Sequence, residues 1–259
     1  MTTVDPGVVC TVEDNILRVT ISRPASMNAV NVETLDAIVD AFERHSDDPH
    51  VRVAVLAGSG RAFCTGADLA GVDLSSPSSP ETIDAANRVV ATIRAFPRPV
   101  IGAVRGPAAG VGVSLALACD LTVTSESSYF LLAFARIGLM PDGGATALVA
   151  ASVGRARAMR MSLLAERLTA SDALQAGLIA QVYADGEFDA EVEVLARRLV
   201  DGPATAFHRT KDAINDATLG QLDAAFKRER SGQLELLAGA DFAEGVSAFQ
   251  NKRPAKFGR

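Results

Sequence analysis

Two stretches of the 259-residue chain place glycines directly after short apolar runs: Phe63-Cys64-Thr65-Gly66-Ala67-Asp68-Leu69 and Gly106-Pro107-Ala108-Ala109-Gly110-Val111-Gly112. The runs before them read as buried strands, and the second stretch leads into a helix. Glycine lets the backbone turn sharply and leaves N–H groups uncovered by side chains. A helix start also presents free N–H groups and a partial positive charge. Two such sites can converge on one developing negative charge, the need of any reaction that passes through an oxyanion. The same spacing suits plain tight turns, and spacing alone does not choose between them.

Other chemistries fit less well. A dinucleotide site needs G-x-G-x-x-G, but Gly110-Val111-Gly112 is followed by Leu115 three residues on. No G-K-[ST] follows either stretch, so a phosphate-binding P-loop is excluded. Gly112-Val113-Ser114-Leu115-Ala116 approaches the G-x-S-x-G nucleophile elbow, yet Ser114 falls inside the expected helix and the last position is Ala. Its only later histidine is His208. The three histidines, His45, His50 and His208, form no ligand-spaced cluster, so no metal site is expected.

The elements that must position these segments can be read from periodicity. Val8–Val12 and Ile16–Ile21 read as a hairpin around Asp14-Asn15. Leu35, Ile38, Val39 and Phe42 recur at helical spacing behind Asn31, a candidate N-cap. Arg52–Ala57 reads as a buried strand. Ser75–Pro80 is the most loop-like stretch, expected to be a mobile surface segment. A helix is expected over Thr82–Phe96, a strand over Val100–Val104, a helix over Ser114–Cys119 and a strand over Leu121–Thr124. Helical patterns dominate from about Thr146 to Phe249. Strands alternating with helices, then a helical end, give an α/β class.

The bulk numbers limit the partners. A net charge of -6 argues against nucleic acid or an anionic membrane surface. Three cysteines, Cys10, Cys64 and Cys119, are too few for a disulfide scaffold and read as thiols in a reducing compartment. No signal-peptide pattern is seen near Met1. Val100–Cys119, the most apolar segment, is broken by Arg105 and by Gly106, Pro107, Gly110 and Gly112, so no membrane span is expected. The expected location is cytoplasmic.

Four motifs, taken together, resemble the crotonase (enoyl-CoA hydratase/isomerase) family. They are Arg23-Pro24…Met27-Asn28-Ala29, Arg61 to Leu69, Gly106 to Gly112, and Gly138-Leu139-Met140-Pro141-Asp142-Gly143-Gly144. The likeness runs on through Glu244–Phe249 and Lys252-Arg253-Pro254. It implies a spiral of ββα repeats as a core over 1–200 and a C-terminal helical trimerisation region over 201–259. Homotrimers or dimers of trimers would follow. It also implies an acyl-CoA thioester substrate, a place in fatty-acid metabolism and no cofactor beyond the CoA moiety. The backbone N–H groups of Ala67 and Val111 would hold the thioester oxygen. Ala25, Ala29, Ala62, Cys64, Gly66, Asp68 and Leu69 would border the CoA nucleotide and pantetheine, with Asp68 also read as a helix-start carboxylate.

The chain departs from the family's hydratases where they carry two water-activating glutamates; here those positions are Ser114 and Phe134. Asp142 resembles the acidic residue of one branch of Δ3,Δ2-enoyl-CoA isomerases, where a single carboxylate takes a proton from C2 and returns it at C4. Read as a turn residue, Asp142 would have no such role. The expected activity is therefore isomerisation. Hydration by a non-standard mechanism and acyl-CoA binding without turnover stay open. Phe130, Leu131, Leu132 and Phe134 could line an acyl pocket or belong to the core.

Overall fold

The computed structural model describes residues 3–5, 7–70 and 79–258. The expected hairpin forms between β2 (Val8–Glu13) and β3 (Ile16–Ile21), with β1 (Thr3–Asp5) on its outer edge. Asp14 and Asn15 both take positive φ, 52° and 65°, which matches the right-handed twist of the strands they join. Helix α1 (Val32–Arg44) starts at Asn31, whose side chain accepts from the Thr34 N–H at 3.0 Å. Its buried stripe carries Leu35, Ile38, Val39 and Phe42.

From β4 (Val53–Gly58) onward, each long strand is followed by a short extended piece and a helix. The next units are α2 (Glu81–Ala95), β5 (Val100–Val104), β6 (Pro107–Ala109), α3 (Val111–Ala118), β7 (Leu121–Ser125) and β8 (Tyr129–Leu131). Then come α4 (Ala145–Leu164), β9 (Leu168–Thr169), α5 (Ala170–Gln175), β10 (Gln181–Tyr183), α6 (Phe188–Val200), α7 (Ala204–Thr218), α8 (Leu222–Leu237) and α9 (Ala240–Gln250).

The long strands form one sheet in the order β1-β2-β3-β4-β5-β7-β10, parallel from β3 onward. Both faces of its centre are covered. Leu17, Val19, Leu56 and Val104 belong to the main core with α1, α2 and α3, while Ile16, Val55, Ile101 and Val123 pack with Phe188 and Val192 of α6. Burial on two sides explains why β4 and β5 read as unbroken apolar runs.

The short pieces stack into a second ladder. Val30 bridges Ala67, Cys64 bridges Ala108, and β6 pairs with β8, which pairs with β9. The chain is thus a spiral of ββα turns. Between the two ladders it must bend sharply. Gly106 does so with φ +67°, and a Cβ there would overlap the Arg61 carbonyl oxygen.

The structure differs from the sequence reading in three places. Helix α3 begins at Val111, not Ser114. The three-residue β6 and β8 carry no alternation long enough to read. Strands β9 and β10 interrupt the stretch expected to be helical, and β10 extends the main sheet beside β7. Most of the Ser75–Pro80 segment lies outside the described residues.

Replacing Gly106 by Ala is expected to cost at least ~1 kcal/mol, through backbone strain and the displaced Arg61 carbonyl. Gly186→Ala, with open space around it and no positive φ, should change stability by less than about 0.5 kcal/mol. Urea unfolding of the two variants beside wild type makes the comparison.

Candidate active site

The second ladder ends in two uncovered N–H groups. Cys64 N–H donates to Pro107 O at 3.2 Å, and Ala109 N–H donates to Cys64 O at 2.8 Å, so the two glycine-rich segments run side by side. They stay together to Gly66, where a Cβ would stand 3.2 Å from the Ala109 carbonyl oxygen and 3.6 Å from Gly110 Cα. Beyond that point each backbone turns away. Val30 N–H takes Gly66 O and Asp68 N–H takes Val30 O, both at 2.9 Å, which skips the Ala67 N–H. Gly110 N–H is taken by Leu131 O at 2.9 Å, and Val111 is the first residue of α3, so its N–H has no partner one turn back. Among the described residues neither the Ala67 nor the Val111 N–H meets a backbone acceptor. The structure therefore brings the two expected donors to neighbouring loop ends, one of them at a helix N-terminus.

The residues expected near CoA form the adjoining wall. The turn Pro24–Ser26 is tied to the first donor loop through Asn28, which is fully buried. Its amide donates to Ser59 O and Ala62 O at 2.9 and 2.6 Å and accepts from Arg23 N–H at 2.8 Å. Arg23 also pairs with Asp68 at 2.9 Å and donates to Ala29 O. Asp68, read as a helix-start carboxylate, pairs with Arg23 and also accepts from the Ala70 N–H at 3.2 Å, which fastens the donor loop to Arg23; residues 71–78, where such a helix would run, lie outside the described residues. Ala67 is exposed, while Ala62 and Cys64 are fully buried and can offer only backbone. Burial pushes the Cys64 thiol up to about 12, so it is not a nucleophile at neutral pH.

The turn that carries Asp142 packs against the helix that opens with Val111. The next residue, Gly143, packs on α3: a Cβ there would meet Ser114 Cβ at 3.1 Å and Val111 Cγ2 at 3.3 Å. Ser114, fully buried, donates its hydroxyl to the Asp142 carbonyl at 2.8 Å, which holds the turn against the helix carrying Val111. That contact, with no histidine partner among the described residues, removes the serine-hydrolase alternative. Phe134 is buried, with its ring edge 4.0 Å from where a Gly110 Cβ would stand. Phe130 and Leu132 are core residues. The Asp142 carboxyl is pushed up to about 7, first by burial and also by the nearby Glu229 charge, against a hydrogen bond from Gln233 that lowers it.

Two residues of the site escaped the sequence reading. Gln233 Nε2 donates to Asp142 Oδ2 at 2.7 Å, and Glu229 accepts from Gly144 N–H at 2.7 Å and Thr146 N–H at 2.9 Å. Both are on α8 and essentially inaccessible to solvent. A signal was present in the four-residue spacing of two polar residues within an amphipathic helix, but nothing local distinguishes them from solvent-facing residues.

A family model described as enoyl-CoA hydratase/isomerase matches residues 11–259. The chain belongs to the enoyl-CoA hydratase/isomerase family. It is 39% identical to the Rhodobacter capsulatus protein named "Probable enoyl-CoA hydratase", over 95% of each chain. It is 37% identical to the 1,2-epoxyphenylacetyl-CoA isomerase of Escherichia coli, over 95% of this chain and 96% of that one. The crystal structure of an enoyl-CoA hydratase from Mycobacterium avium subsp. paratuberculosis superposes with a TM-score of 0.92 at 50% identity, covering 98% of this chain and 99% of that one. The α/β spiral with its helical C-terminal region is the crotonase fold, and this enzyme family acts on acyl-CoA thioesters. Among the described residues no helix is long and apolar enough to cross a membrane.

The raised Asp142 carboxyl has a consequence for stability. Its ordinary value is 3.8, so between about pH 4 and 7 the folded chain holds a proton that the unfolded chain releases. Wild-type stability contributed by this group therefore falls as pH rises through that window and is flat above it. Asp142→Asn is expected to melt no lower than wild type at pH 8, with a relative gain that shrinks toward pH 4. Thermal melts across pH 4–8 give the comparison.

Proposed function

We propose that the protein shifts a carbon–carbon double bond of an enoyl-CoA from the 3 to the 2 position, with Asp142 as the single acid/base. The observation that carries this reading is the packing of the Asp142 turn on the helix that opens with Val111, with Ser114 and Phe134 at the two positions where hydratases carry their glutamates. Asp142 in its ionised form removes a C2 proton from the 3-enoyl thioester. The electron pair moves into the conjugated system and the thioester oxygen becomes the dienolate oxygen, held by the Ala67 and Val111 N–H groups. Protonated Asp142 returns the proton at C4, giving the 2-enoyl thioester and regenerating the carboxylate. A preorganised donor in such a hole contributes roughly 10²–10³ in rate. Proton affinity near neutrality suits a group that must both take and give.

Ala25, Ala29, Gly66, Asp68 and Leu69 would border the pantetheine and nucleotide, with Ala62 and Cys64 contributing backbone. The route needs no cofactor beyond the CoA moiety. The isomerase name of the Escherichia coli relative supports an isomerisation, and the hydratase names of the others favour water addition to a 2-enoyl-CoA as the competing outcome. Phe134, in the position of a water-activating carboxylate, weighs against the latter. Trimers or dimers of trimers are proposed as the assembly, supported by exposed Met159, Leu163 and Leu164 near the end of α4. Light scattering should then give three or six times the chain mass.

With 3-enoyl-CoA as substrate, Asp142→Asn should lose at least ~10²-fold in kcat while keeping CoA-ester affinity. The wild-type rate should rise with pH to a plateau above about 7, as the base ionises. Hydration of 2-enoyl-CoA at ordinary enzymatic rates without isomerisation would overturn the assignment.

A further inference from the structure

Resting on that reading of Asp142, we propose that Gln233 and Glu229 of α8 are positioning residues for the base: Gln233 immobilises Oδ2 and leaves Oδ1 to carry the proton, and Glu229 locks the turn that presents it.

The orientation of the Gln233 amide is set by its other partner. Met140 N–H donates to Gln233 Oε1 at 3.3 Å, so the oxygen must face the backbone and the NH2 must face Asp142. Gln233 thus spans the turn, holding residue 140 with one end and residue 142 with the other. One turn earlier, Glu229 accepts from Gly144 and Thr146, the N–H groups that open α4. Its partners are donors, so the carboxylate is the form the site satisfies, although burial alone raises its proton affinity. Gly232 allows the close approach, since a Cβ there would overlap the Met140 thioether. Leu222 and Phe226 close over Gly144 in the same way. A helix with a glycine, a buried glutamate and a buried glutamine on one face costs stability by propensity and desolvation. Holding a substrate-facing turn in one geometry accounts for all three together.

The charged groups around Asp142 are few. Glu229 is the group of α8 whose charge reaches it, Arg228 next to Glu229 is exposed to solvent, and Arg230 is engaged by Asp84 at 2.6 Å. From α3 the turn meets Val111 and Ser114, neither of which titrates in this range. The two α8 residues therefore push the base in opposite directions. Gln233 donates to the ionised form, and Glu229 opposes it.

The test compares pH–rate profiles for 3-enoyl-CoA isomerisation in wild type, Gln233→Met, Gln233→Glu, Glu229→Gln and Asp142→Asn, with melting temperature and CoA-ester affinity measured in parallel. In Gln233→Met kcat at pH 7 should fall about 10- to 100-fold with KM nearly unchanged. Its ionisation limb should move to higher pH, so that part of the loss is recovered near pH 9. Gln233→Glu should displace the limb upward as well, and Glu229→Gln should displace it downward. A folded Gln233→Met or Gln233→Glu enzyme with wild-type kcat and an unmoved limb overturns the inference, while an inactive Asp142→Asn beside it leaves the base in place. An Asp142→Asn enzyme that isomerises normally sinks the underlying reading instead, whatever the α8 variants do.

Discussion

The proposed site depends on two backbone N–H groups, those of Ala67 and Val111, that meet no backbone acceptor among the described residues. An unpaired amide is costly when buried, and secondary structure normally removes it. Here the short ladder of the spiral ends one residue too early on two adjacent steps. Val30 pairs around Ala67 without using its N–H, and Gly110 hands the chain into α3 so that Val111 opens the helix. The adjacency of the two donors follows from the pairing of Cys64 with Ala108, which fixes one step against the next. Position and direction of the donors are thus properties of the backbone. No side chain has to be placed for the proposed hole, and a Val at its second donor is compatible with it for that reason.

The proposed acid/base side is built differently. Asp142 is in a turn, and a turn does not hold a carboxylate to the tolerance proton transfer needs. Three outside contacts do: Ser114 on the Asp142 carbonyl, Gln233 on its carboxylate, and Glu229 on the N–H groups just beyond. Ser114 comes from the helix that opens with Val111, so the proposed base is referenced to the proposed hole. Helix α8 therefore packs against the Asp142 turn of its own chain, with α9 packed on the 133–137 turn in the same manner.

Much of this was legible in the residues. The hairpin, α1 with its Asn31 cap, β4, β5 and β7 followed from period and punctuation, because each buries a face whose spacing is visible locally. The glycine-rich motifs gave the donor loops, since positive φ and close backbone approach restrict what can stand there. What the sequence hid was set by long-range pairing. Strands β6 and β8 are three residues long and exist through stacking of successive turns, and β10 is held by β7. The pairing of Asp68 with Arg23, 45 positions away, is likewise set by the folded loop and has no local signal. Gln233 and Glu229 lie roughly 90 positions from the groups they hold, beyond any local pattern.

The chemical core of the account is enolate formation beside a thioester, independent of where a double bond ends. Exchange of the α-protons of a saturated arylacetyl-CoA in deuterated water isolates that step, followed by proton NMR for wild type and Asp142→Asn. Wild type should show enzyme-dependent loss of the α-proton signal, faster above about pH 7, and the variant none above background. Exchange that survives unchanged in Asp142→Asn, or no exchange in an enzyme that adds water to a 2-enoyl-CoA, would contradict it.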